Sequence, residues 1–262
     1  MQSTQKSHSS SDDLPIVFLH GFSGDGDGLR QFATAYAGSK AVLIDLPGFG
    51  RTPAPQVKTQ DIHAYCEAVW REIRRHVPDG SMRLVGHSHG AMIGFVLASL
   101  HTDVVRLDLF CPVARPRLAP RMVISILHFL RRIGVPVHII IRMVAHPFLV
   151  ALVTRYSFRP EWSKRVRDQI SRMREREARN YSPVMFDLMD QTLRFMEDMK
   201  DTTITTPTFL CHVTDENIAS NEDYRWYQEH ANIRKTLALT GGHLCVVADP
   251  KQVAASAHRG GF

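Results

Sequence analysis

Short apolar runs alternate with longer stretches of helical periodicity along most of this chain. Ile16–Leu19, Ala41–Ile44, Met82–Val85, Val104–Phe110, Thr208–Cys211 and Lys235–Leu239 are apolar enough to read as buried strands. Between them, residues 27–37, 59–77, 89–101, 183–199 and 221–230 carry helical patterns, and a last helix is expected over 249–258. That alternation predicts an α/β architecture, a mostly parallel sheet of about six strands covered by helices. The interval between the fourth and fifth strands is too long for one crossover helix. It opens on Pro112, Pro116 and Pro120 and then shows helical stretches near 118–133, 136–156 and 160–180. In the third of these, Trp162, Val166, Ile170 and Met173 recur at helical spacing and mark one apolar face. The second is apolar nearly all round, so it is expected to be buried or to line a pocket.

Residues 1–13 are Ser-, Gln- and Asp-rich with no apolar run, which predicts a disordered tail and lacks the apolar core of a secretory signal. The chain then divides into a core over 14–112 and 183–262 and an inserted helical unit over 113–182. No uncharged apolar stretch reaches the ~18 residues of a membrane span. Cys66, Cys111, Cys211 and Cys245 are too far apart in sequence for a metal knuckle or a redox pair, and read as reduced core thiols of a cytoplasmic protein.

Charge changes the picture only locally. The formal net charge is +6, but residues 112–200 hold 15 Arg and 2 Lys against 8 Asp and Glu, a net of +9, which leaves −3 for the rest. Such a segment attracts anionic lipid headgroups or nucleic acid. The alternation Arg174, Glu175, Arg176, Glu177 reads instead as a solvated helix face. No nucleic-acid partner is expected, and peripheral membrane contact through the basic insertion is the lesser expectation. The oligomeric expectation is a monomer or homodimer.

The strongest chemical signal is Gly86-His87-Ser88-His89-Gly90, between a strand pattern and the apolar helix pattern Ala91–Leu100. A G-x-S-x-G at a strand-to-helix turn is a nucleophile elbow, in which the flanking glycines let strand and helix approach while the hydroxyl is exposed. The blander reading is a helix-starting turn with a capping serine. His20-Gly21-Phe22 directly follows the first strand, where a backbone N–H from Phe22 would meet a developing oxyanion, and His89 would supply the second. Gly241-Gly242-His243 follows the last strand, where a general base is needed. His87 and His89 suggest a metal pair, but their side chains diverge across the turn and no carboxylate joins them. Asp25 and Asp27 lie in a segment too short for a calcium loop and read as turn and capping residues. Gly48-x-Gly50 is no dinucleotide fingerprint.

Together the HGF, DLPGFGRT, GHSHG and GGH segments resemble the α/β-hydrolase superfamily, in its subgroup with a helical cap, over roughly residues 14–258. The resemblance implies the α/β-hydrolase fold with the first two family strands missing, a Ser-His-acid triad of Ser88, His243 and an acid between them in chain order, and no cofactor. It places the acid in the loop Val213-Thr214-Asp215-Glu216-Asn217. Residue type puts Asp215 slightly ahead, whereas the spacing from the strand favours Glu216, and both stay open. Asp108 lies within the fourth strand and carries little weight. The expected activity is hydrolysis of a small to medium hydrophobic carboxylic ester through an acyl-enzyme. A carbon–carbon bond hydrolase of ring-cleavage products shares the fold and triad. From a different class, a non-catalytic ligand-binding protein of the same fold is the remaining alternative. In the expected cap, Ile139, Ile140, Ile141, Met143, Val144, Phe148, Leu149 and Leu152 either line the substrate pocket or pack internally.

Overall fold

A computed structural model describes residues 14–22, 24–115, 117–156 and 162–262. The expected N-terminal tail therefore lies outside the described residues, as does Pro116. The six strands β1 (Ile16–Leu19), β2 (Ala41–Ile44), β3 (Met82–His87), β4 (Val104–Phe110), β5 (Ile204–Val213) and β6 (Ala231–Leu239) form one sheet in the order β2-β1-β3-β4-β5-β6. Every neighbouring pair is parallel. Such a sheet is covered on both faces, which is why β1 is an unbroken apolar run with all four residues buried. Its alternating side chains feed two cores. Val17 and Leu19 point to one with Leu84, Leu107 and Leu109, while Ile16 and Phe18 point to the other with Val85 and Phe110.

Helices α2 (Ile62–His76), α3 (His89–Leu100) and α9 (Asn221–His230) pack on the first face, and α1 (Gly26–Ala37), α10 (Cys245–Ala248) and α11 (Pro250–Arg259) on the second. Their ends are set by short polar residues. Asp25 caps α1, Asp61 caps α2 and Ser220 forms a capping box with Asp223 at α9.

Between β4 and β5 run α4 (Leu118–Arg132), α5 (Val137–Val144), α6 (Pro147–Tyr156), α7 (Lys164–Ala178) and α8 (Val184–Asp198). The expected apolar helix over 136–156 is broken, because Pro147 cannot continue the turn begun by α5 and starts α6 instead. Nor is that stretch wholly buried. Ile140 and Val150 are buried, but Ile139, Phe148 and Leu152 are exposed, Phe148 by 68%. Ile140, with the half-buried Ile141 and Val144, packs on the core as the internal-packing alternative expects, whereas Ile139, Met143 and Leu149 line a shallow surface cavity and Phe148 and Leu152 face outward. Helix α8 places Met185, Phe186, Leu188 and Phe195 in the first core. No single described helix is long and apolar enough to cross a membrane.

Candidate active site

Parallel strands bring their C-terminal ends to one edge of the sheet, and every sequence-predicted site residue lies on that edge or in the loops above it. The register pairs Leu19 with Gly86, His87 with Phe110, and Val213 with Leu239. The residues that follow these strand ends, namely His20, Ser88, the 214–217 loop and the 240–243 loop, are therefore neighbours.

Ser88 sits between β3 and α3 at φ 56°, a left-handed backbone that an L-residue adopts at a cost of order 1–3 kcal/mol. Close packing enforces the turn. A Cβ on Gly86 would come within 2.5 Å of the Ala91 Cα, and one on Gly90 within 2.2 Å of the Leu19 carbonyl oxygen. Both positions thus require glycine on steric grounds. Ser88 makes no capping hydrogen bond to α3, which removes the reading of it as a simple helix cap. Its Oγ instead donates to His243 Nε2 at 2.7 Å.

The other ring nitrogen of His243, Nδ1, donates to Glu216 Oε2 at 2.8 Å. Glu216 Oε1 accepts from the Asn217 and Ile218 N–H groups at 2.8 and 2.7 Å. Burial alone would raise the Glu216 carboxyl pKa. The charge and hydrogen bond of His243 and the two backbone donors outweigh it and hold the pKa down at about 2. Glu216, His243 and Ser88 are all buried, at 5–7% exposure.

The preference for Asp215 is corrected by this geometry. Its carboxylate turns to the neighbouring loop and accepts from Gly241 N–H at 3.0 Å and Gly242 N–H at 3.1 Å. Asp215 thereby holds the loop that carries His243, while the next residue meets the imidazole. The register argument for Glu216 was the physical one, because side-chain direction in a loop follows distance from the strand end and not residue type. Asp108 is fully buried in β4, where it accepts from Tyr36 Oη, Arg83 and Arg106 at 2.9, 3.0 and 2.8 Å. It belongs to a buried network with Tyr36, Arg83 and Arg106, whereas His243 is met by Glu216.

The turn after β1 packs directly on the elbow. A Cβ on Gly21 would stand 3.2 Å from the Ser88 Cβ. His20 pins this turn: its Nδ1 donates to the Gly21 carbonyl at 2.8 Å and its Nε2 accepts from Leu46 N–H at 3.0 Å. Phe22 and His89, the expected oxyanion donors, have rings 6.1 Å apart on either side of this junction. The His89 N–H is the first of α3 and so has no acceptor within its helix.

Three supports were not read from the sequence. His87 Nε2 donates to the His243 carbonyl at 2.9 Å and so braces His243 from behind. His20 shapes the Gly21 turn. Thr192 of α8 gives its proton to the Leu188 carbonyl at 2.8 Å and accepts from His89 Nδ1 at 3.1 Å. Burial drives the His87 and His89 pKa values down to about 3, so both rings are neutral. The histidines flanking Ser88 were visible as a pair, but only the fold reveals that one faces His243 and the other α8. Asp25 and Asp27 have the roles expected of turn residues: Asp25 caps α1 and accepts from Arg176 at 2.9 Å, and Asp27 pairs with Arg30.

The insertion is tied to this edge at several points. Arg117 donates to the Ile218 and Ala219 carbonyls, Tyr156 Oη donates to Asn217, and Arg176 reaches Asp25.

Comparison with known proteins gives a consistent picture. A family model described as the alpha/beta hydrolase family matches residues 16–256. Among solved structures, an esterase from Exiguobacterium antarcticum superposes with a TM-score of 0.71 at 15% identity, covering 94% of this chain and 91% of that one. A hydrolase from Oleispira antarctica gives 0.69 at 14% identity over 94% and 90%. The "Probable lysophospholipase BODYGUARD 4" of Arabidopsis thaliana is 26% identical over 94 residues, which is 35% of this chain and 22% of that protein. The aligned part is thus about a fifth of that relative's length.

Proposed function

Because the chain belongs to the alpha/beta hydrolase family, we propose that it is a serine hydrolase that cleaves a small to medium hydrophobic carboxylic ester through an acyl-enzyme. The observation that carries this reading is the continuous chain Ser88 Oγ to His243 Nε2 and His243 Nδ1 to Glu216, at 2.7 and 2.8 Å. In this mechanism His243 takes the Ser88 proton as Oγ attacks the ester carbonyl. Glu216 holds the imidazole in the Nδ1–H tautomer and balances the imidazolium charge. The tetrahedral oxyanion accepts from the Phe22 and His89 N–H groups, each contributing about 3–4 kcal/mol in sites of this type. His243 then protonates the departing alkoxide, and a water activated by the same base releases the acid.

The surroundings favour an apolar acyl or aryl group. Phe22 and Phe49 rings lie 6.4 Å apart beside the Gly21 turn, and the nearby His20 is pushed toward its neutral form by burial. Helices α4–α7, hydrogen-bonded to the loops of both Glu216 and Asp25, serve as the cap. The esterase name of one structural neighbour and the lysophospholipase name of the Arabidopsis relative agree with ester substrates. A series of p-nitrophenyl esters of increasing acyl length tests the reading. It predicts saturable turnover that rises from acetate to medium chains and is abolished by Ser88→Ala. Turnover that survives that substitution, or none on any ester, would refute it.

A further inference from the structure

Helices α4–α6 expose far more apolar surface than a solvated face warrants. On α4 and its C-cap, Met122, Ile126, Phe129 and Ile133 follow at spacings of four, three and four, and each is between 56% and 60% exposed. Helices α5 and α6 repeat the stripe at a spacing of four, with Ile139 and Met143, then Phe148 and Leu152. Ten of the twelve exposed large hydrophobic residues among the described part of the chain fall within residues 122–156. A concentration of that kind marks an interaction surface.

Charge identifies the partner. Residues 109–160 contain eight Arg and no Asp or Glu. The alternation with acids seen along α7 is therefore absent here. In α7 that alternation is not the wholly solvated face expected, because Glu177 is buried and pairs with Arg174 at 2.8 Å. Arg131, Arg132, Arg142 and Arg155 are all exposed and stand next to or within one turn of the stripe residues. Pairing this face with a second copy of itself would set arginine against arginine with no acid from the segment to compensate. An apolar layer bounded by negative charge meets both features at once.

We propose that the α4–α6 face docks on an anionic lipid surface, with the apolar stripe in the acyl boundary and the arginines at the headgroups. The two ends of this unit are pinned beside the acid of the site. Arg117 holds Ile218 and Ala219, and Tyr156 holds Asn217. If the ester-hydrolase reading holds, on which this last step rests, docking delivers a membrane-resident ester to Ser88.

The test is co-sedimentation of the full chain with vesicles of phosphatidylcholine alone and of phosphatidylcholine with one third phosphatidylglycerol. Two variants accompany it, Ile126→Asp with Phe129→Asp and Arg132→Glu with Arg142→Glu. The wild type is expected to bind the anionic vesicles at least about tenfold more tightly, and each variant to lose about tenfold, with p-nitrophenyl acetate turnover within about twofold of wild type. Equal binding to both vesicles, no binding, or full binding by both variants overturns the proposal. So does a dimer in solution that the apolar variant dissociates while no vesicle binding is seen. Vesicle binding by a protein inactive on every ester would leave docking standing and refute the hydrolase reading. Ester turnover without binding would do the reverse.

Discussion

At the residue scale, the choice between two adjacent carboxylates shows how much one bond of chain direction matters. Glu216 reaches His243 and Asp215 reaches the Gly241 and Gly242 amides, although both are acids in the same loop. Glu216→Gln would present an amide to Nδ1 and favour the wrong tautomer, so kcat on a soluble ester is expected to fall by about 10⁴. Asp215→Asn keeps an oxygen that accepts from both amides, and should stay within a few-fold. The Glu216 pair also leaves a signature in acid. Its folded pKa, about 2, lies below the usual 4.5. The folded state therefore binds fewer protons than the unfolded chain between those values. This contribution to stability is fully present above pH 4.5 and is lost as pH falls toward 2. In pH-dependent unfolding, the gap between wild type and Glu216→Gln should be widest above pH 4.5 and narrow on acidification. A constant gap would mean that Glu216 is not held as an ion by His243.

At the scale of elements, local rules account for most of what was legible in advance. Strand β1 is recognisable because four successive apolar residues are buried on both faces, and α3 because its apolar run follows the elbow. Strand β6 is longer than its apolar part suggests. It lies at the edge of the sheet, where Ala231, Asn232 and Ile233 pair on one side only and Arg234 falls at a register shift, so these positions need not be apolar. The break between α5 and α6 follows from Pro147, a signal present in the sequence and outweighed there by the apolar run around it. The partners of His20 and His87 were illegible for a different reason. Both hydrogen bonds join segments far apart in the chain, 26 and 156 residues, and no local pattern encodes them. The elbow makes a sharp prediction of its own. Gly90→Ala would drive a methyl into the Leu19 carbonyl at the junction of β1 and α3. A loss of at least several kcal/mol, or no soluble protein, is expected on thermal unfolding, since backbone on both sides cannot yield. A variant as stable as wild type would show that the elbow is looser than the packing implies.

At the scale of the molecule, one sheet edge gathers Ser88, His243 and Glu216 from segments spread over more than half the chain, and the helical insertion is fastened to the same edge. The strand ends place Ser88, the 214–217 loop and the 240–243 loop, so the triad is a consequence of topology once the strand register is set. The insertion adds a second face, apolar and basic, whose charge was legible in the sequence and whose exposed stripe was not. The central claim is that Ser88 is an activated nucleophile. The most direct measurement is labelling of the intact protein by a fluorophosphonate, with the modified residue mapped by mass spectrometry. The account predicts one adduct per chain on Ser88, slowed strongly by His243→Ala and absent in Ser88→Ala. Stoichiometric labelling that persists in Ser88→Ala, or a folded wild type that resists the probe, would contradict it.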